Sequence, residues 1–123
     1  MIQEFYNNSK GYLESHWQGD VDLEQVTDYI HRTRKNINYP RQLKILTDAS
    51  AANLKLNLED LKAISEVNIL SVQQYDFIVD AFIVEEALVA ALSSMYKKIS
   101  VVKDYHFRIF SSKESATEWL EFM

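Results

Sequence analysis

A few carboxylate and hydroxyl side chains are the candidates for chemistry in this sequence. Asp48 and Ser50 follow a short apolar run, at a place where open α/β sheets commonly present ligand-binding residues. Asp76 and Asp80 lie four residues apart in an otherwise apolar stretch, and such positions are roughly 13 Å apart along a strand. That distance is too long for two carboxylates that share a proton or act as a glycosidase pair. Asp48, Ser50 and Asp80 are therefore predicted as ligand or partner contacts, and no catalytic residue is predicted.

Each candidate also has a purely structural explanation. Asp48 and Ser50 could close an Asx or ST turn that satisfies free backbone N–H groups. Asp80 could accept hydrogen bonds inside the core, from a helix N-terminus or an arginine. A Ser-His-Asp triad would need a histidine beside Ser50, and nothing in the sequence indicates one. A hydrolase or transferase is therefore the weakest of the functional hypotheses.

The three histidines do not form a metal-binding pattern. His16, His31 and His106 belong to three different predicted elements. His31 has a carboxylate at helical spacing, Asp28, but two ligands from one exposed helix do not make a site. We predict neither a metal nor another cofactor.

Composition excludes several classes of protein. The chain has 123 residues, no cysteine and a formal charge of -5, which excludes disulfides and thiolate metal sites and disfavours a nucleic-acid surface. With only two glycines, both near the N-terminus, there is no GxGxxG, phosphate-binding loop or GxSxG elbow. No apolar run is long enough to span a membrane and the first residues lack a signal-peptide pattern, so we expect a cytoplasmic protein without an integral membrane segment.

Hydrophobic periodicity predicts the first three elements. Residues 2–6 and 12–18 indicate a β-hairpin around the turn at 7–11. A helix follows from Asp22 to about Ile37, with Asp22 and Gln25 as a capping box. The helix is expected to end before Pro40, because the residue before a proline avoids the α region.

The rest of the chain alternates strands with helices. Strands are predicted at 43–47, 75–84 and 105–110, and helices at 57–67, 85–98 and 111–123. Asn57 is expected to cap the second helix, and Ser111 with Glu114 the last. The third helix has an apolar stripe of Leu88, Leu92, Met95 and Ile99. The order β-β-α-β-α-β-α-β-α predicts one α/β domain over residues 1–123, with a mostly parallel sheet and an antiparallel N-terminal hairpin.

Aromatic residues crowd the predicted hairpin. Phe5, Tyr6, Tyr12 and Trp17 lie within its two strands. Alternation leaves some of them facing outward unless both faces of the sheet are covered. They are interpreted either as core residues or as a surface for a protein partner or a homodimer.

Three stretches carry a resemblance to a known family. They are Lys44–Asp48, a strand ending in aspartate, Tyr75–Ile83, a second core strand, and Phe110–Leu120 (FSSKESATEWL), a closing helix. The chain resembles the SpoIIAA-like family, which is related to the STAS domains of anti-sigma-factor antagonists and, in fold, to SEC14-type lipid-binding modules. The resemblance extends over nearly the whole chain and implies a SpoIIAA/STAS-like fold.

The sequence departs from the STAS pattern at one functional position. STAS antagonists are switched at a serine where the helix after this strand begins. Here residues 53–58 contain neither serine nor glycine, and Asn57 occupies the helix start. The phosphoserine role is therefore not implied, and phosphorylation of Ser50 would be a separate hypothesis. We expect a non-enzymatic bacterial regulatory or protein-interaction module, with a small apolar-ligand or lipid-binding module as the alternative.

Overall fold

The computed structural model describes residues 1–123, which form one five-stranded sheet and four helices. The predicted order β-β-α-β-α-β-α-β-α is confirmed. The elements are β1 (Ile2–Asn7), β2 (Tyr12–Asp22), α1 (Leu23–Lys35), β3 (Gln42–Lys55), α2 (Leu58–Val72), β4 (Phe77–Ile83), α3 (Ala87–Ile99), β5 (Tyr105–Phe110) and α4 (Lys113–Phe122).

The strands lie in the sheet in the same order as in the chain, from β1 to β5. β1 and β2 are antiparallel, and every other neighbouring pair is parallel. The hairpin turn uses Gly11 at φ +77°, a left-handed conformation that glycine adopts without a Cβ penalty. The predicted mixed sheet with an antiparallel N-terminal hairpin is thus confirmed.

The sheet separates two apolar cores of unequal size. The larger contains 21 buried residues and lies between the sheet and α1, α2 and α3. The smaller contains 7 buried residues and lies under α4, around Leu46, Val79 and Leu120. Because side chains alternate along a strand, Ile78, Asp80 and Phe82 of β4 point to the larger core, and Val79 and Ala81 to the smaller.

β3 is much longer than the sequence predicted. It continues through 48–50 to Lys55, and its second half pairs with the second half of β2, where Ala51 lies opposite Gln18 and Lys55 opposite Asp22. The prediction that Asp48 and Ser50 follow the end of this strand is therefore wrong. The local sequence contains turn-forming residues, but the hydrogen bonds offered by β2 keep the segment extended.

Three helices begin at residues whose side chains cap them, and two of the predicted caps were wrong in detail. Asp22 does accept a hydrogen bond from the Gln25 backbone N–H, but the Gln25 amide donates to the Asp20 carbonyl oxygen rather than reaching back to Asp22. The last helix is capped by Ser112, not by Ser111. Asn57 caps α2 as predicted, and with Asp60 it forms a complete capping box.

One helix end and one apolar stripe were predicted incorrectly. α1 ends at Lys35, so Ile37 lies beyond the helix and is 88% exposed. In α3 the buried residues are Val89, Ser93 and Tyr96, whereas Leu88 and Met95 are exposed. The helix is apolar on more than one side, and its rotation is set by packing against the sheet and α2 rather than by its own sequence.

Candidate functional site

A cavity of about 80 Å³ lies between the sheet and α1, α2 and α3, and it is partly open to the surface. Fifteen of its twenty lining residues are hydrophobic, so its walls are mainly apolar. One water-sized group needs about 10–15 Å³ by this measure. The cavity therefore has room for about five to eight such groups, which is the size of a small organic molecule.

Asp80 is the one carboxylate in the wall of this cavity. It lies in the middle of β4, with Ile45 of β3 on one side and Phe107 of β5 on the other. The Thr47 hydroxyl donates a hydrogen bond of 2.8 Å to its Oδ1 atom. Asp80 retains some accessible surface, and because protein encloses it on the other sides, that surface faces the cavity.

No cation compensates the charge of Asp80. The cavity lining contains no lysine, arginine or histidine, and Asp80 takes part in no salt bridge. Burial raises the pKa of this carboxyl to about 7, and the hydrogen bond from Thr47 offsets only part of the rise. A carboxyl with this pKa exchanges its proton near neutral pH, which is a property typical of functional sites.

Three tyrosines line the same cavity: Tyr29, Tyr96 and Tyr105. Tyr96 and Tyr105 share a hydrogen bond of 3.1 Å, and the Asn68 amide donates to Tyr96. The Tyr29 hydroxyl is buried without a hydrogen-bond partner, although the Ser15 hydroxyl lies near enough to lower its pKa slightly. Burial raises the pKa of Tyr96 to about 12 and that of Tyr105 well above the ordinary value, so these phenols stay neutral and can donate hydrogen bonds.

Aromatic rings form a continuous array around Asp80. Phe82 packs edge-on against Trp17 with ring centroids 5.3 Å apart, and it packs against Phe107 at the same separation. Phe107 in turn contacts Tyr96 at 5.0 Å. The carboxylate therefore lies among π-systems rather than among charged side chains.

Asp48 and Ser50 lie away from this cavity. Ser50 donates to Asp48 Oδ1 from both its backbone N–H, at 3.0 Å, and its hydroxyl, at 2.6 Å. Strand alternation puts Asp48 on the face of the sheet opposite Thr47 and hence opposite the cavity. The two side chains satisfy each other locally, and a role in binding stays a prediction for both.

The remaining polar candidates are dispersed over the surface. Asp76 is exposed and precedes β4, so Asp76 and Asp80 are not on one strand as predicted. His16 is exposed, with its Nε2 atom 3.9 Å from Glu14, and His31 contacts Arg34. None of the three histidines lines the cavity, and no group of acidic or histidine side chains is arranged to hold a metal ion.

A second, shallower groove lies near the hairpin turn. It has a larger volume, about 350 Å³, but it is more open and more polar, and Arg41, Lys44 and Asp76 line it. Arg41 stabilises the fold, because its guanidinium donates hydrogen bonds to the carbonyl oxygens of Gln74, Asn36 and Tyr39. The apolar cavity, with an acid that no cation compensates in its wall, is therefore the better candidate for a ligand site.

Asp80 was predicted from the sequence, but the tyrosines that line the cavity with it were not. The signal for Asp80 was a charged residue within an otherwise apolar strand. Tyr29 and Tyr96 were not singled out, although each lies on the buried side of its helix. A search for polar aromatic residues within predicted core stripes would have found both.

Fold and site together define an α/β module whose mixed sheet and three helices enclose a small apolar cavity containing one acid. A solved structure similar to it is that of an uncharacterised DUF3478-family protein from Shewanella loihica PV-4, which has a SpoIIAA-like fold. The TM-score is 0.60 at 18% sequence identity, and the similarity covers 98% of this chain and 92% of that one. The chain therefore has a SpoIIAA-like fold, as its sequence indicated.

No protein-family model matches the sequence, and no curated protein matches it either. No helix of the structure is both long enough and apolar enough to cross a lipid bilayer.

Proposed function

We propose that this protein is a non-enzymatic binding module for a small, mainly apolar molecule that occupies the cavity beneath α1, α2 and α3. The observation that carries the proposal is the cavity itself, which combines apolar walls with a few converging polar groups. That combination is typical of small-molecule sites. Binding is favoured over catalysis because no serine or threonine of the lining has a histidine beside it to act as a base.

The size of the cavity disfavours a lipid as the ligand. Room for about five to eight water-sized groups is less than a common lipid acyl chain needs. A compact ligand fits the present arrangement of the helices, whereas a whole lipid would require a larger cavity.

A pair of variants on α3 tests the proposal. Leu92 is half-buried and lines the cavity, whereas Leu88, one turn earlier, is 63% exposed and does not. Leu92→Trp is expected to fill the cavity and Leu88→Trp to leave it unchanged. Ethylbenzene titrations followed by NMR should show shifts of cavity resonances in the wild type and in Leu88→Trp, and none in Leu92→Trp.

Native mass spectrometry provides a second measurement on the same proteins. A small molecule that copurifies with the wild type should be absent from Leu92→Trp. The proposal fails if ethylbenzene shifts no cavity resonance in the wild type, or if Leu92→Trp binds it as the wild type does.

The exposed edge of the sheet supports a second function, contact between two copies of this chain. β1 is an edge strand with unpaired backbone groups on one side, and two such edges can pair antiparallel about a two-fold axis. Phe5 of this strand is 57% exposed, whereas Tyr12 and Trp17 of the hairpin are buried in the two cores.

Light scattering tests the homodimer. Phe5→Lys is expected to give a monomer at concentrations where the wild type is a dimer. Phe122→Lys, at a 94% exposed position on α4, should leave the dimer intact. A monomeric wild type at high concentration would refute this second function.

A further inference from the structure

Asp80 has a feature that an apolar ligand alone would leave unexplained, a half-buried carboxylate without a counter-ion. Carboxylates in protein interiors are ordinarily paired or extensively hydrogen-bonded, because losing water is costly for the charged form. Asp80 receives one side-chain hydrogen bond, from Thr47, and it lines the cavity. A ligand in the cavity is therefore the group that can supply a further hydrogen bond to Asp80.

The protein's own cations are not placed to do so. Arg32 is the guanidinium found near one of the lining rings, 5.9 Å from the centroid of Tyr29. Its Nε atom is bound to Glu4 at 3.0 Å. No lysine or arginine lowers the pKa of Asp80, so the position for a positive charge inside the cavity is free.

The walls suit a positive charge as well as an apolar body. Six aromatic rings line the cavity: Trp17, Tyr29, Phe82, Tyr96, Tyr105 and Phe107. Aromatic faces attract ammonium groups, and sets of such rings recognise ligand cations in other proteins. A carboxylate among aromatic rings favours an organic cation over an anion or a purely apolar molecule.

We propose that the ligand is a small organic cation, an ammonium group on a compact apolar body, with its charge against Asp80 and its apolar part among the aromatic rings. This inference rests on the proposed function of the cavity and specifies its ligand. The ammonium donates a hydrogen bond to the Asp80 carboxylate.

The test uses the full chain and three probes of nearly equal shape: benzylamine, benzyl alcohol and ethylbenzene. Affinities are measured by NMR titration at pH 6 and pH 8, where benzylamine remains cationic. At pH 8 benzylamine should bind about tenfold or more tighter than benzyl alcohol, because a charged hydrogen bond replaces a neutral one.

The pH dependence separates a charge interaction from simple filling of the cavity. Binding of the cation requires ionised Asp80, whose pKa in the free protein is about 7. The ionised fraction rises about tenfold from pH 6 to pH 8, so the affinity for benzylamine should rise about tenfold as well. The affinity for ethylbenzene should stay constant.

Two variants complete the experiment. Asp80→Asn keeps the size of the side chain and should remove both the preference for benzylamine and its pH dependence. Asp76→Asn, at an exposed position just before the same strand, should leave both unchanged. Circular dichroism melting checks that each variant is folded, and the wild-type pH dependence tests the inference even if Asp80→Asn fails to fold.

The outcomes distinguish this inference from the function on which it rests. If ethylbenzene and benzyl alcohol bind as tightly as benzylamine at pH 8, the cavity binds ligands but the cation inference is overturned. If benzylamine binding is unchanged in Asp80→Asn, it is overturned as well. If none of the three probes binds, both the inference and the proposed function fail.

Discussion

Replacing Asp80 by asparagine should make the protein more stable at neutral pH. The native protein holds a proton on Asp80 up to a pKa of about 7, whereas an unfolded chain releases it near the ordinary aspartate value of about 4. Between these values the native state binds more protons than the unfolded state. The free energy of unfolding of the wild type therefore falls as the pH rises through this interval.

The size of the effect follows from the two pKa values. Each pH unit between them costs the wild type about 1.4 kcal/mol, so the total approaches about 4 kcal/mol by pH 7. This is an upper value, because the carboxylate retains some accessible surface and is therefore not fully desolvated. Asparagine has no charge to bury, and its side-chain oxygen can still accept the hydrogen bond from Thr47.

Urea denaturation followed by circular dichroism measures the effect at several pH values. The difference in unfolding free energy between Asp80→Asn and the wild type should be small at pH 4.5. By pH 8 it should favour the variant by about 3 kcal/mol. Asp76→Asn serves as the exposed control and should show no such trend. A difference that stays constant from pH 4.5 to pH 8 would refute the assignment of Asp80 as a desolvated acid.

Three further substitutions test the site and the fold. Thr47→Val removes the hydrogen bond that lowers the pKa of Asp80, so NMR titration of the Asp80 carboxyl carbon should show a pKa above the wild-type value; an unchanged or lower pKa would contradict the assignment. Asn57→Ala removes the capping box of α2 and should cost about 1 kcal/mol of unfolding free energy, with Asn38→Ala, outside any helix, as a neutral comparison. Leu120→Ala should cost about 2–5 kcal/mol of unfolding free energy, because Leu120 is 1% exposed. Phe122→Ala, at a 94% exposed position on the same helix, should change the unfolding free energy by less than about 0.5 kcal/mol. Similar losses from both substitutions would show that α4 does not pack as described.

The elements most accurately predicted were those with strong local signals. β5 was predicted at its observed residues, and Asn57 was recognised as the cap of α2. Alternation, apolar periodicity and capping side chains act within a few residues, so the sequence displays them directly. The mixed topology followed from the order of elements, because strands separated by helices pair in parallel and a short turn forces an antiparallel pair.

The errors occurred where distant residues determined the outcome. Asp48 and Ser50 resemble a turn locally, yet pairing with β2 keeps them within β3. Leu88 fitted the apolar period of α3, yet the helix is rotated so that Val89 is buried and Leu88 exposed. In both cases the local sequence allows two arrangements, and long-range contacts select one.

The sequence by itself determined the order of the elements, the α/β class and the presence of an unusual acid in a central strand. Only the tertiary structure decided what surrounds that acid. Thr47 is distant from Asp80 in the chain, and Tyr29, Tyr96 and Phe107 come from three further elements. Their convergence buries most of the carboxyl and leaves no cationic side chain in the lining. This gives Asp80 its raised pKa and the cavity its proposed preference for an organic cation.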